Sequence, residues 1–346
     1  MRKALGLALV VATVVAIAAV VGAASAAPAK KQDTSISGAG SSFVFPLVSK
    51  WIPALGSAYG YNVSYSPIGS GGGIAAVTAR TVDFGASDAP LSADQMAACK
   101  GCVQVPWALS ATSTPYNLPG LNCVVRLTGP ILADIYLGNT TKWNDASITK
   151  INPKCNMPDT KITPVYRSDN SGTSYNFTDY LSAVSGTWKS KYGPGVNQQW
   201  PTGVGAKGSS GVAGVISKTQ GAIGYVDVAY AKANKLRFAS IKNASGKFAT
   251  PGLRGIKAAA ATLPKKITGD GSLSIVNPKK GNPLAYPIST FTYVIVPTSS
   301  SKSAELRKMV YWAVTRGQTY GPPLLFQPLP LNVQAFAFRQ IKQING

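Results

Sequence analysis

Arg167-Ser168-Asp169-Asn170-Ser171-Gly172-Thr173 runs into Ser174-Tyr175-Asn176-Phe177-Thr178-Asp179-Tyr180-Leu181, whose spacing reads as a helix. A fixed cation, hydroxyl residues and a glycine therefore stand directly ahead of a helical segment. Arginine presents a planar fork of N–H donors and stays charged at any ordinary pH. Ser171 or Thr173 can cap the helix, and the free N–H groups of its first turn point outward at the positive end of the macrodipole. Together these make a socket for an oxyanion. Taken alone, the stretch reads equally well as an ordinary cap beside a surface arginine; its recurrence elsewhere tips the balance.

The same order of strand, Gly/Ser turn and helix occurs twice more. Ile36 to Pro46 reads as a short strand, the turn Gly38-Ala39-Gly40-Ser41-Ser42 and a helix start, continued by the apolar spacing of Leu47 to Leu55. Tyr61 to Ser66 alternates as a strand and leads into Ile68-Gly69-Ser70-Gly71-Gly72-Gly73, then a helical Ala75 to Arg80. Val82 to Pro90 is a buried-type strand that ends on a carboxylate, Asp88. Lys161 to Tyr166 is the strand that feeds the Arg167 turn. Further along, Ile131 to Leu137 reads as a helix, Gly221 to Val226 as a strand followed by a helix over Asp227 to Lys235, Thr290 to Val296 as a strand and Ser303 to Thr315 as a helix. Residues 240–284 show no clear period. Alternating strands and helices predict an α/β architecture whose ligand lies beyond the carboxyl ends of the strands. Gly203-Val204-Gly205-Ala206-Lys207-Gly208 satisfies G-x-G-x-x-G, but no convincing strand precedes it and no well-placed acid follows, so it is read as a glycine-rich loop.

With 346 residues the chain is long enough for two lobes. Met1-Arg2-Lys3, an apolar run from Ala4 to Gly22 and a small-residue ending at Ala26 form a secretory signal over residues 1–26, with a polar linker over 27–34; a retained membrane anchor over 4–22 is the other reading. Loss of Arg2 and Lys3 lowers the net charge from +22 to +20. That charge is scattered, without the basic stripe and interleaved aromatics of a nucleic-acid binder, and fits a general field that draws anions inward or adhesion to an acidic envelope. The chain contains no histidine, which excludes Ser-His-Asp and Cys-His nucleophiles and His-ligated metal. No cofactor or metal is expected. Cys99, Cys102, Cys123 and Cys155 read as disulfides of an exported protein in one of three pairings, with Cys99-x-x-Cys102 as a staple; an all-cysteine zinc site would need all four to converge.

At Gly38 to Phe43, Ile68 to Gly72, Thr81 to Ser92 and Arg167 to Thr173, and again at Asp134 to Gly138 with Lys142-Trp143 and at Gly221 to Val226, the sequence closely resembles the exported phosphate-binding proteins of bacterial high-affinity phosphate ABC transporters. The resemblance implies a two-lobe, type II periplasmic-binding-protein fold with crossing strands and an interlobe cleft. One lobe would comprise 35–113 and 286–346, the other 114–285. It further implies a monomer that binds inorganic phosphate and delivers it to a membrane permease with its ATPase, is not an enzyme, and works outside the cytoplasmic membrane. Carried over by motif, Ser42 and Phe43 supply backbone N–H groups, Ser42 also its hydroxyl, and Ser70 both hydroxyl and N–H. Asp88 is the carboxylate of the site, Arg167 its cation, and Ser171, Gly172 and Thr173 the remaining donors, with Asp169 orienting the guanidinium. The sequence departs from the family at Ser42, where threonine is frequent, at Gly71, where serine is usual, and in its cysteines.

An anion needs donors, so Asp88 looks misplaced until the protons are counted. Phosphate near neutrality still carries one, and an ionised carboxylate can only accept. Sulfate has none to give. A mismatch of buried polar groups of this kind discriminates by roughly 10⁴–10⁵-fold. Two other functions fit less of the sequence: a phosphatase using serine or threonine, which lacks a base beside its nucleophile, and an adhesive basic envelope protein, for which only the charge speaks.

Overall fold

Cys102–Ser113 and Ser289–Pro297 are buried at every position and pair antiparallel, with Phe291 opposite Leu109 and Val294 opposite Val105. Strands covered on both faces have no solvent side to fill, so their side chains do not alternate between apolar and charged. Pro106 cannot donate to the ladder. The pairing slips by one residue between Thr292 and Tyr293, and Trp107, in the extra position, donates its indole N–H to Thr292 Oγ1 at 2.8 Å.

These two strands are the second and third of a six-stranded sheet in the order Val226–Asp227, Cys102–Ser113, Ser289–Pro297, Phe84–Ser87, Thr34–Gly40, Tyr61–Ser66. Helix Phe45–Tyr59 packs Leu47, Val48, Trp51 and Leu55 inward, starts with Pro46 in its first turn and stops at Gly60 in the left-handed conformation. A second sheet runs Arg237–Phe238, Pro115–Tyr116, Ala222–Ile223, Thr163–Arg167, Val204–Ala206, and a third runs Phe248–Ala249, Ser240–Lys242, Arg126–Leu127. This computed structural model describes residues 34–270, 272–279 and 282–345. The signal expected over 1–26 and all of the linker except Thr34 lie outside the described residues. Among those described, no helix is long and apolar enough to cross a membrane.

The chain leaves the first sheet at Thr114, between Ser113 and Pro115, and returns at Gly224 and Tyr225, between Ile223 and Val226. Val226 and Asp227 come back to lie against Ser113 and Thr112. The single strand expected over Gly221 to Val226 is therefore two short strands in different sheets. The helix after it is Val228–Ala233, because Asp227 is its cap and accepts from the Ala229 N–H at 2.8 Å. The unplaced stretch 240–284 holds two strands of two or three residues and the helix Leu253–Ala260, elements too short to show a period in the sequence. Cysteine pairing is resolved as Cys99–Cys102 and Cys123–Cys155, with Cα separations of 5.6 and 5.8 Å, so the four thiols do not converge on a metal.

Candidate functional site

Four helix starts meet where the first and second sheets face each other. Helices Phe45–Tyr59 and Ser70–Thr78 follow strands of the first sheet, whereas Gly172–Val184 and Gly208–Lys218 follow strands of the second. Between them lies Asp88, one residue past the end of Phe84–Ser87 and only 2 % exposed. Asp88 accepts from the Ser41 hydroxyl at Oδ1 and from Thr173 Oγ1 at Oδ2, 3.3 Å away, while its own N–H donates to Ser70 Oγ at 3.2 Å.

Arg167 ends its strand buried beside this carboxyl. Its Nε donates to Asp169 Oδ1 at 2.7 Å and its Nη2 to Asp169 Oδ2, so the neighbouring acid holds the fork from behind. The remaining amino group, Nη1, faces Thr173 Oγ1 and Ser209 Oγ, each at 3.4 Å. Tyr225 OH accepts from the Arg167 backbone N–H at 3.0 Å and exchanges a 2.7 Å hydrogen bond with Ser174 Oγ, tying the strand end to the helix that follows.

Electrostatics separate the two acids. Burial pushes the Asp88 carboxyl up to about 6, against the lowering effects of the Ser41 hydrogen bond, the Arg167 charge, and the Thr173 and Ser70 hydroxyls. Burial also raises Asp169, but there the Arg167 hydrogen bonds and charge, with the Gly208 N–H at 3.0 Å, outweigh it and hold the group below the ordinary carboxylate value. One acid is thus a permanent partner of the guanidinium, and the other is held above the ordinary carboxylate value in a cluster of donors.

Close approach explains two glycines. A Cβ on Gly172 would lie 2.5 Å from Ser70 Oγ and 2.7 Å from the Asp88 nitrogen, and one on Gly71 would lie 2.5 Å from the Asn170 Cβ. The departure at Gly71 follows from this contact, in which the Gly71 N–H also donates to the Asn170 carbonyl at 3.1 Å.

A family model described as "PBP superfamily domain" matches residues 24–316. A phosphate-binding protein PstS of Xylella fastidiosa (strain Temecula1) is 41 % identical over 88 % of this chain and 85 % of its own length. The PstS of Pasteurella multocida is 39 % identical over 87 % of this chain and 88 % of its own. The chain belongs to the phosphate-binding protein family of that superfamily. Its two-lobe α/β fold matches that of a high affinity periplasmic phosphate-binding protein (PfluDING) solved with phosphate bound, with a TM-score of 0.70 at 21 % identity over 88 % of this chain and 93 % of that one.

Of the residues expected at a family site, Ser70, Asp88, Arg167, Asp169, Gly172 and Thr173 lie in mutual contact. The N–H groups of Ser42, ahead of its helix, and of Ser70, Gly172 and Thr173, in the first turns of theirs, find no protein acceptor among the described residues. Two expected donors are differently engaged. The Phe43 N–H donates to Ser41 Oγ at 3.0 Å. Ser171 serves as the helix cap, accepting from the Ser174 N–H at 3.2 Å while its own N–H goes to the Val196 carbonyl. Ser42 Oγ pairs with Ser209 at 3.0 Å.

Ser41 and Ser209 are absent from the expected set. Ser209 opens the helix behind Gly203 to Gly208, and the expectation of a loop without a strand there is corrected: Val204–Ala206 is a strand, parallel to Thr163–Arg167. Its three residues gave no period, but the order of strand, turn and hydroxyl-bearing helix start was the same signal as at Arg167. Hollows of about 500 Å³ beside Cys123–Cys155 and about 720 Å³ beside Lys50 and Arg316, larger than the hollow of about 160 Å³ that Asp88 lines, contain none of the turn residues.

Proposed function

We propose that this protein is exported, closes its lobes on one inorganic phosphate at the four helix starts, and delivers it to a membrane permease driven by an ATPase. Ser42, Phe43, Ser70, Asp88, Arg167, Ser171, Gly172 and Thr173 form the ligand set in this reading, with Asp169 orienting Arg167. The lobes are assigned as 35–113 with 286–346, and 114–285. Asp88 among donors carries the reading. Free N–H groups, hydroxyls and Arg167 suit any oxyanion, whereas a buried acceptor beside them suits only an oxyanion that brings a proton of its own. Further support comes from the two PstS relatives, both phosphate-binding proteins; we read this chain as a binding protein and not an enzyme. Hinge closure about the segments at Thr114 and Gly224 is the motion expected of two lobes so joined.

Calorimetric titration tests the proposal. Expected are saturable one-to-one phosphate binding that persists in moderate salt and no turnover of phosphate esters. Binding that disappears with salt would mark dispersed electrostatic adhesion instead, and ester hydrolysis would mark an enzyme.

A further inference from the structure

Ser209 is fully buried and lies 167 positions from Ser42, yet the two residues meet twice. The Ser209 N–H donates to Ser42 Oγ at 3.1 Å, and the two hydroxyl oxygens stand 3.0 Å apart. Either hydroxyl satisfies the second contact on distance alone. Arg167 biases the direction, because a hydroxyl that accepts from a cation becomes the stronger donor. Its Nη1 lies 3.4 Å from Ser209 Oγ, and a guanidinium has donors only, so the Ser209 proton cannot go back to it. Ser42 Oγ is the acceptor in reach. With the N–H and O–H of Ser209 both donating to it, the two lone pairs of Ser42 Oγ are filled, and its single proton has to leave the pair. No protein acceptor for that proton exists among the described residues.

We infer that Ser209 is a positioning residue for anion capture, relaying the Arg167 charge to Ser42 and committing the Ser42 hydroxyl to donate to the bound phosphate; this rests on the proposed function. Each hydrogen bond in such a chain polarises the next, so the cation reaches the ligand by two routes, its own amino groups and the hydroxyl line. The line also joins the lobes. Arg167 and Ser209 belong to elements on the second sheet, and Ser42 precedes the helix that follows the first strand of the first sheet. It is complete only when the two meet, so Ser42 becomes an obligate donor at closure. Tyr230 adds a second tie at the same place, donating its hydroxyl to the Ser42 carbonyl at 2.8 Å and fixing the backbone on which the serine turns. The glycine-rich motif at 203–208 thus has a role that involves no nucleotide: it brings a helix start to the back of a ligand-facing hydroxyl.

The test is a double-mutant cycle on the intact protein, read as phosphate Kd by calorimetry. Ser42→Ala and Ser209→Ala are each expected to weaken binding roughly ten- to a hundredfold, the span for one hydrogen bond to a charged group. In the Ser42→Ala background, Ser209→Ala is expected to cost less than about threefold more, because its effect runs through Ser42. A merely structural role would cost the same in both backgrounds, and losses that multiply would overturn the inference. So would a Ser209→Ala protein that binds within twofold of its parent. If alanine at this buried position lowers the melting temperature sharply, Ser209→Cys, close in volume but a weak donor, makes the same comparison. A parent that binds no phosphate defeats the proposed function and this inference together; a parent that binds normally alongside an unaffected Ser209→Ala defeats the inference alone.

Discussion

Thr173 Oγ1 stands 3.3 Å from Asp88 Oδ2 and 3.4 Å from Arg167 Nη1, so one hydroxyl accepts from the buried cation and donates to the buried acid. Thr173 and Asp88 are 85 positions apart and belong to elements on different sheets. The hydroxyl lowers the Asp88 pKa and offsets part of the effect of burial. Replacing it by a methyl group in Thr173→Val removes that donor with little change of shape. Asp88 should then titrate higher, and phosphate affinity should fall about tenfold, the scale of one hydrogen bond. Calorimetry as a function of pH would show both effects, as a weaker Kd and a displaced inflection.

Asp88 also makes the ligand-free protein pH-sensitive. Its folded value of about 6 lies above the unfolded value of about 3.9, so the folded state holds the proton more tightly. The stability it contributes is full below the unfolded value and is lost as pH rises through about 6, an amount of about 3 kcal/mol. Asp88→Asn cannot titrate, keeps an acceptor for Ser41 and should remove this loss. Thermal melts without phosphate at pH 4 and pH 7 would then show the variant gaining on the parent at the higher pH; a gap that does not change with pH would refute the assignment.

Gly172 packs against Ser70 and the Asp88 backbone with no room for a side chain. Gly172→Ala should keep the lobes from meeting, at an overpacking cost that translates to roughly ten- to a hundredfold in phosphate affinity. Because the clash arises between lobes, the extra stability conferred by phosphate should shrink, read as the difference between melting temperatures with and without phosphate.

Much of the candidate site was legible because most of its residues lie where a strand ends and a helix begins. Arg167, Thr173 and Ser70 sit at turns whose composition alone announces a helix start, and Asp88 closes a strand of buried type. What could not be read was which of two adjacent hydroxyls points where. Ser41 takes the carboxyl and the Phe43 N–H, leaving Ser42 to Ser209, a choice made by backbone direction that composition does not encode. Ser209 was hidden because its strand has three residues, two of them exposed. The return crossing at Gly224 and Tyr225 was hidden for a related reason: an unbroken apolar run gives no sign of where a strand changes sheets.

Proton counting at Asp88 is the central claim, and it is tested most directly by titrating phosphate and then sulfate into the parent protein and into Asp88→Asn at pH 7.5, where the parent carboxyl is ionised. An amide presents a donor where the carboxylate offered only an acceptor. The expected result is tight one-to-one phosphate binding with no measurable sulfate heat in the parent, and saturable sulfate binding gained in Asp88→Asn. A parent that takes both anions with similar affinity, or a variant that still ignores sulfate while binding phosphate, would contradict it.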